Sequence, residues 1–155
     1  MPLLLKVQVV GVEDCAAFAD ARVDVWHCDS AGTYSGYDSE RSAGETFLRG
    51  TQRSDAQGVV SFATVYPGWY EGRATHIHCK AVAADGREVS TQFYFPDELS
   101  DSVYRDPAYA GPRGGRRPVN ADDGLFRSAG GGEATMLQVR RAAGGYEGAI
   151  VVALD

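Results

Sequence analysis

Residues 59–83 read VVSFATVYPGWYEGRATHIHCKAVA. Two short apolar runs, at 59–64 and 76–83, flank a stretch that is rich in proline, glycine and aromatic residues. Short or alternating apolar runs that are bounded by turn residues are typical of β-strands, so this segment predicts a strand, a turn and a second strand. The second strand begins with HIH, which contains two of the three histidines of the protein.

The same pattern recurs along the chain, and helical periodicity is scarce. We predict seven strands, at residues 3–10, 21–27, 59–64, 76–83, 88–95, 135–140 and 148–154. One short helix is expected within PDELSDSVYRD (96–106), and a long irregular loop, of the kind that often serves function, is expected at 106–124. Seven short strands with frequent turns predict an all-β fold, namely a β-sandwich of mostly antiparallel strands with long active-site loops.

Size and charge restrict the class of protein. A chain of 155 residues with 44% apolar and 23% charged residues suits one globular domain, here 1–155. Its longest apolar runs are too short to span a bilayer, and a net charge of −6 argues against nucleic acid or an anionic membrane surface as partner. Because the chain opens directly in the strand pattern MPLLLKVQVV, we expect a domain cut from a longer parent chain that has a further domain.

The HIH motif has the spacing of a metal-binding pair. On a strand His76 and His78 share one face with their Cα atoms roughly 6–7 Å apart, whereas Ile77 points into the core. The motif is also common on solvated strand faces and does not establish a metal site alone. Tyr70 ends the turn PGWY, and Tyr34 lies in the loop SAGTYSGY. Two phenolates with two imidazoles favour Fe(III), whereas zinc sites more often use histidine, cysteine and carboxylates.

The chain resembles the intradiol ring-cleavage dioxygenases, a family that includes catechol 1,2-dioxygenase and protocatechuate 3,4-dioxygenase. The resemblance lies in the collinear segments VDVWHCDSAGTYSGY (23–37), FLRGTQRSDAQGVVSFATVYPGWYEGRATHIHCK (47–80) and STQFYF (90–95). It implies a β-sandwich with one non-haem Fe(III) per chain. The implied reaction is intradiol cleavage of catechol, protocatechuate, hydroxyquinol or a related aromatic diol by O2, which gives a cis,cis-muconate-type dicarboxylate.

The resemblance also implies a set of metal ligands. Matched to the family's motifs, these ligands are Tyr34, Tyr70, His76 and His78. Tyr37 lies three residues after Tyr34 and is the alternative first tyrosine. Of the two tyrosines, Tyr70 is the one expected to leave the metal and accept a proton when the diol binds, which makes it a catalytic residue.

Two further residues match family positions beside the substrate. Arg73 matches an arginine whose fixed positive charge stabilises an anionic substrate, and Gln92 matches a glutamine that lines the same pocket. The alternatives are an ion pair of Arg73 with Glu71 or a loop carboxylate, and an ordinary polar strand position for Gln92. We interpret Tyr66 as a packing residue and His27 either as a structural residue or as one that supports the metal ligands.

The compact form of the chain resembles the small secreted members of the family. That likeness implies a disulfide between Cys15 and Cys28, a buried free thiol at Cys79 and an extracellular location, with the cytoplasm as the alternative.

Two other functions stay open. One is a non-catalytic carbohydrate- or protein-binding sandwich with exposed Trp26, Trp69 and tyrosines as stacking platforms. The other is a zinc or copper hydrolase built on HIH, for which the sequence offers no evident third histidine or carboxylate base.

Overall fold

Two β-sheets packed face to face form a β-sandwich. The computed structural model describes residues 1–109, 116–129 and 132–155. Within these ranges the strands are β1 (Pro2–Gly11), β2 (Arg22–Trp26), β3 (Arg49–Arg53), β4 (Val59–Val65), β5 (His76–Val82), β6 (Glu88–Tyr94), β7 (Gln138–Ala142) and β8 (Gly145–Leu154). The helices are α1 (Asp97–Val103) and α2 (Gly124–Ser128), with 3-10 turns at Asp38–Glu40, Pro107–Tyr109, Asn120–Asp122 and Glu133–Thr135. The predicted all-β class is confirmed.

Each sheet has four strands. One has the order β4-β1-β8-β7 and the other the order β3-β2-β5-β6. Neighbouring strands are antiparallel except β1 and β8, which run parallel from Leu3 opposite Tyr146 to Gly11 opposite Leu154. Because alternate residues of a strand face the same side, the apolar positions of every described strand except β3 line the space between the sheets.

Some strand boundaries differ from the prediction. The strand expected at 135–140 begins only at Gln138, because Glu133–Thr135 forms a 3-10 turn. The last strand is longer than expected and starts at Gly145. Strand β3, with the sequence RGTQR, has no counterpart among the predicted strands, because it lies at a sheet edge and its side chains are almost all exposed.

The helical and loop predictions are met in part. The helix expected within 96–106 is α1, and α2 was not expected. The described ends of the loop at 106–124 include two 3-10 turns, and residues 110–115 lie outside the described residues. In the parts of the chain that the structure describes, every helix is too short or too polar to cross a membrane.

The disulfide that the resemblance implied is not formed. Cys15 is an exposed free thiol after β1, whereas Cys28 is buried after β2 and its thiol donates to the carbonyl of Gly68 at 3.5 Å. Cys15 bonds to Gly11 at the C-terminal end of β1, whereas Gly68 follows Val65, which pairs with Pro2 at the other end of β1. The two cysteines therefore lie at opposite ends of the sandwich, and a disulfide needs Cα atoms within about 7 Å. Cys79 is a buried free thiol, as predicted. The extracellular location stays a prediction.

Candidate metal centre

Strand β5 sets the two histidines of the HIH motif. His76 and His78 lie on the outer face of the sheet, and Ile77 between them is completely buried in the core, as predicted. The neighbouring strands extend this outer face, because Trp26 of β2 and Gln92 of β6 lie directly opposite His78. Strand pairing therefore places three residues from distant parts of the sequence side by side across the sheet.

A tight turn sets Tyr70 beside Arg73. The amide of Arg73 donates to the carbonyl of Tyr70 at 3.4 Å, which closes a four-residue turn just before β5. Gly72 occupies the third position of the turn with φ of 84°, in the left-handed region that favours glycine. The local sequence YEGR thus fixes the two side chains at one edge of the site.

The loop that contains Tyr34 packs directly on this turn. The amide of Gly68 donates to the carbonyl of Asp29 at 2.9 Å, and a Cβ atom on Gly68 would lie only 2.4 Å from the same oxygen. Glycine is therefore required where the two backbones meet. This contact brings the ring of Tyr34 to 5.6 Å from the ring of Tyr70.

Four polar side-chain atoms, two imidazole nitrogens and two phenol oxygens, lie close together. The Nε2 atom of His76 lies 3.2 Å from each of three others: the hydroxyl of Tyr34, the hydroxyl of Tyr70 and Nε2 of His78. The structure thus brings together all four residues that the sequence singles out as ligands. Of the two tyrosines left open, Tyr34 reaches the cluster, whereas Tyr37 is 45% exposed and only packs its ring edge against Tyr34.

Hydrogen bonding alone does not account for this arrangement. Nδ1 of His76 lies 2.7 Å from the carbonyl of Ala74, which can only accept, so the neutral ring carries its proton on Nδ1 and its lone pair on Nε2. One lone pair faces three polar groups. Ligands that lie about 2.0–2.1 Å from a shared ion stand about 3 Å from each other, which is close to the spacing found here. The cluster therefore fits a bound cation.

Burial sets the protonation of the four groups. It lowers the pKa of His76 to about 3 and that of His78 to about 4, so both imidazoles are neutral at neutral pH. It raises the pKa of Tyr34 and of Tyr70, so both phenols keep their protons in the absence of a cation. Binding as phenolates therefore releases two protons, which a strongly Lewis-acidic ion such as Fe(III) can drive.

The donor set consists of imidazoles and phenols. In the described ranges, no group of three or more histidine, cysteine, aspartate or glutamate side chains is placed to hold a metal ion. His27 is buried away from the cluster, and its ring nitrogens lie 2.8 Å from the hydroxyl of Thr64 and the carbonyl of Cys28. Tyr66 is completely buried in the core. Both residues have the structural roles expected of them.

Trp26 packs on the cluster. Its ring stacks on the ring of His78 with centroids 4.9 Å apart and planes within 1° of parallel. This contact fixes the orientation of an imidazole that has no buried carbonyl partner of its own in the described residues. Trp69 is buried, so the pair does not form the exposed platform that the carbohydrate-binding alternative requires.

Arg73 stands between the cluster and the neighbouring strand. Its Nε donates to Oδ2 of Asp123 at 2.9 Å, and its Nη2 donates to Oε1 of Gln92 and, at 3.2 Å, to the hydroxyl of Tyr94. The carboxylate partner of Arg73 is therefore not Glu71 but Asp123, a carboxylate of the loop predicted at 106–124, as the alternative interpretation allowed. Arg73 and Gln92 therefore lie together, and their roles beside the substrate stay predictions.

An open cavity adjoins His78. Its volume is about 350 Å³, which suits a small ligand. Its lining includes Trp26, Gln92, Tyr94, Leu125, Ala129 and Thr135. Aromatic, aliphatic and uncharged polar groups therefore face the space beside the four-residue cluster.

The sequence alone did not predict the contacts of Tyr94 and Asp123 or the stacking of Trp26. A signal for Tyr94 was present, because it lies two residues after Gln92 on a predicted strand and so shares its face. A weaker signal for Asp123 was its position before GLFR, where aspartate commonly caps a helix. Nothing local indicates that Asp123 reaches Arg73, which lies 50 residues away.

Known proteins that are similar to this chain are dioxygenases. A family model described as a dioxygenase matches residues 1–113. Catechol 1,2-dioxygenase 1 of Acinetobacter lwoffii is 28% identical over 127 residues, which cover 70% of this chain and 40% of that protein. The chain thus spans about 40% of the length of the curated relatives it matches.

Two solved structures have the same fold over nearly the whole chain. The intradiol ring-cleavage dioxygenase from Tetranychus urticae superposes with a TM-score of 0.86 at 29% identity, covering 99% of this chain and 80% of its own. The dioxygenase domain of a dioxygenase and carbohydrate-binding protein fusion from Streptomyces sp. SirexAA-E gives a TM-score of 0.75 at 30% identity, covering 99% and 79%. With the family model matching most of the sequence, the chain belongs to the intradiol ring-cleavage dioxygenase family.

Proposed function

We propose that the protein uses O2 to cleave a catechol-type diol between its two hydroxyl-bearing carbons and releases a cis,cis-muconate-type dicarboxylate. Non-haem Fe(III) would be held by Tyr34, Tyr70, His76 and His78. The observation that carries this proposal is the convergence of two phenols and two neutral imidazoles on one point beside a cavity of suitable size. The family membership and the activity named for the similar structure from Tetranychus urticae support it.

Ferric iron, when bound, supplies a Lewis acid that binds the two diol oxygens and makes the ring reactive toward O2. The chain supplies the charge balance, because two phenolates offset two of the three positive charges of the ion. Tyr34 is buried, whereas Tyr70 is half-buried at the edge of the site. Tyr70 is therefore the better placed of the two to accept a proton from an incoming diol at its phenolate oxygen.

The remaining groups orient the diol. The guanidinium of Arg73 places a fixed positive charge beside the site, which stabilises a diol that has given a proton to Tyr70. Gln92 and Tyr94 hold that guanidinium and present polar atoms to the cavity. Trp26 and Leu125 give the cavity apolar walls that suit an aromatic ring.

Oxygen uptake tests the proposal. The protein, loaded with iron and analysed for about one ion per chain, is mixed with catechol, protocatechuate or hydroxyquinol in an oxygen electrode while the ultraviolet spectrum is recorded. We expect uptake equimolar with at least one diol and the absorbance of a ring-opened dicarboxylate. Resorcinol is the matched control, because its hydroxyls are not adjacent and cannot both bind one ion. Iron-loaded protein that consumes no oxygen with any adjacent diol would refute the proposal.

Replacing Arg73 with alanine should lower kcat by about 10²–10³-fold while the iron content stays near that of the wild type. The reason is that the guanidinium bonds to Asp123, Gln92 and Tyr94 but to none of the four proposed ligands. Steady-state kinetics and metal analysis of the same preparation measure both quantities.

Arg117→Ala is the control for this change. Arg117 is a similarly shielded arginine that pairs with Asp97 and Asp101 away from the four-residue cluster. Its loss should lower stability and leave kcat per bound iron unchanged. An Arg73 variant with normal kcat would give Arg73 a structural role only.

A further inference from the structure

Asp123 is a buried carboxylate behind the cavity wall. Its side chain is fully buried, and both of its oxygens are occupied. Oδ2 accepts from Nε of Arg73 at 2.9 Å and from the amide of Ala74 at 3.0 Å. Oδ1 accepts from the amides of Leu125 and Phe126, at 2.9 and 3.3 Å. One side chain therefore joins the turn before β5 to the first turn of α2.

The charge of Asp123 is matched to these partners. A buried carboxylate is stable only when it is paired and hydrogen-bonded. Burial alone would raise the pKa of Asp123, but the bonds from Arg73 and from the amides of Ala74 and Phe126 outweigh it and lower the pKa. The group therefore stays ionised, and its charge is directed at a single guanidinium.

The bonds of Arg73 fix the plane of its guanidinium. Asp123 holds Nε, while Gln92 and Tyr94 hold Nη2 from the neighbouring strand. A long, flexible side chain that is held at two of its nitrogens has one position relative to the cluster, and such pre-set geometry makes a charge useful in catalysis. Without Asp123 only the Nη2 end would be held.

The same carboxylate holds the opposite wall of the cavity. Its second oxygen caps α2, where Leu125 lines the cavity and Phe126 packs edge-on against the ring of Tyr94 at 5.0 Å. The carboxylate of Asp123 therefore sets the position of both the Arg73 guanidinium and the apolar wall of the cavity.

We infer that Asp123 is a positioning residue of the proposed reaction, which acts by holding the Arg73 guanidinium and the α2 wall in register beside the diol. This inference rests on the proposed function and extends it to a residue outside the ligand set. Asp123 makes no hydrogen bond to the four cluster residues, so it acts on turnover and not on metal binding.

The test is the Asp123→Asn variant. Asparagine keeps the size and an oxygen that can cap α2, but it loses the charge that holds Arg73. We expect kcat to fall about 10–100-fold, with iron content and the phenolate-to-iron absorption band unchanged. The matched control is Glu147→Gln, which removes one charge from a carboxylate paired with Lys6 and Arg140 on the other sheet and should leave kcat unchanged.

A double variant separates positioning from structural support. If Asp123 acts through Arg73, adding Asp123→Asn to Arg73→Ala should lower kcat by less than about twofold further, because the positioned group is already gone. Losses that multiply, or an Asp123→Asn protein that loses iron, would overturn the inference. Should Asp123→Asn fail to fold, Arg73→Lys replaces it, since lysine keeps the charge but lacks Nε. A normal kcat in that variant would also overturn the inference.

A readout without turnover keeps the two proposals distinguishable. In the metal-free protein, the Nε–H group of Arg73 should give a slowly exchanging signal in a ¹⁵N-edited NMR spectrum, and this signal should exchange rapidly in Asp123→Asn. Rapid exchange in the wild type would show that Asp123 does not hold the guanidinium. Wild-type protein that cleaves no diol but has the slow signal would refute the proposed function and leave the contact itself established.

Discussion

Replacing His76 with alanine is expected to abolish iron binding and ring cleavage together. Nε2 of His76 lies 3.2 Å from the polar atoms of Tyr34, Tyr70 and His78, so the alanine variant loses the atom on which the cluster converges. Three ligands would remain, and two of them are phenols whose pKa is raised by burial. The ion binds the two phenols only if it displaces their protons. With one imidazole ligand lost, less binding energy is left to offset that deprotonation.

The size of the effect should be close to complete. Iron per chain should fall from about one to a trace after loading and desalting, and oxygen uptake should fall below detection. The loss of the buried ring and of its bond to Ala74 should also cost about 1–3 kcal/mol of unfolding free energy, which a domain of this size can tolerate. Metal analysis, oxygen uptake and thermal unfolding by circular dichroism measure the three quantities on one sample.

His27→Ala is the matched control, because His27 is the remaining histidine of the chain and is equally buried. Its ring bonds to Thr64 and Cys28 and not to the cluster. Its loss should cost a similar amount of stability and leave the iron in place. Equal iron loss in both variants would mean that His76 acts through the fold, and retained iron in His76→Ala would remove His76 from the ligand set.

Features that depend on one strand or one turn could be predicted from the sequence. The alternation of β5 gave the outward His76 and His78 and the inward Ile77, because a period of two is a property of any strand. The helix α1 also lay where the local pattern put it. The adjacency of Tyr70 and Arg73 follows from a four-residue turn with glycine at its third position.

Features that depend on pairing between distant segments could not be predicted from the residues alone. The stacking of Trp26 on His78 requires the register of β2 against β5, which neither strand specifies alone. The bond from Arg73 to Asp123 requires α2 to pack against the turn before β5. Strand β3 was missed because an exposed edge strand has no apolar alternation to reveal it.

The errors also have a physical reason. The expected disulfide rested on likeness to other compact members of the family, and it failed because Cys15 lies beside Gly11 at one end of the sandwich and Cys28 beside Gly68 at the other. The two tyrosines of SAGTYSGY could not be separated by spacing, because a loop has no fixed period. Their separation came from the contact of Gly68 with Asp29, which sets Tyr34 beside Tyr70.

That choice between two tyrosines gives the second large expected effect. We expect the iron-loaded protein to be red to burgundy, and Tyr34→Phe should remove that colour or shift it strongly and lower turnover by at least about 10²-fold. The change deletes one oxygen atom that lies 3.2 Å from Nε2 of His76 and leaves the ring packed against Tyr70. The fold should lose only about 1 kcal/mol, the typical contribution of one hydrogen bond.

Tyr37→Phe is the natural control, since it removes the same atom from a ring three residues away. The side chain of Tyr37 is 45% exposed, and its hydroxyl makes no hydrogen bond to any described residue. Colour, iron content and turnover of that variant should all match the wild type. If instead Tyr34→Phe kept its colour and turnover while Tyr37→Phe lost them, the loop would have to rearrange on binding iron, and the first phenolate ligand would be Tyr37.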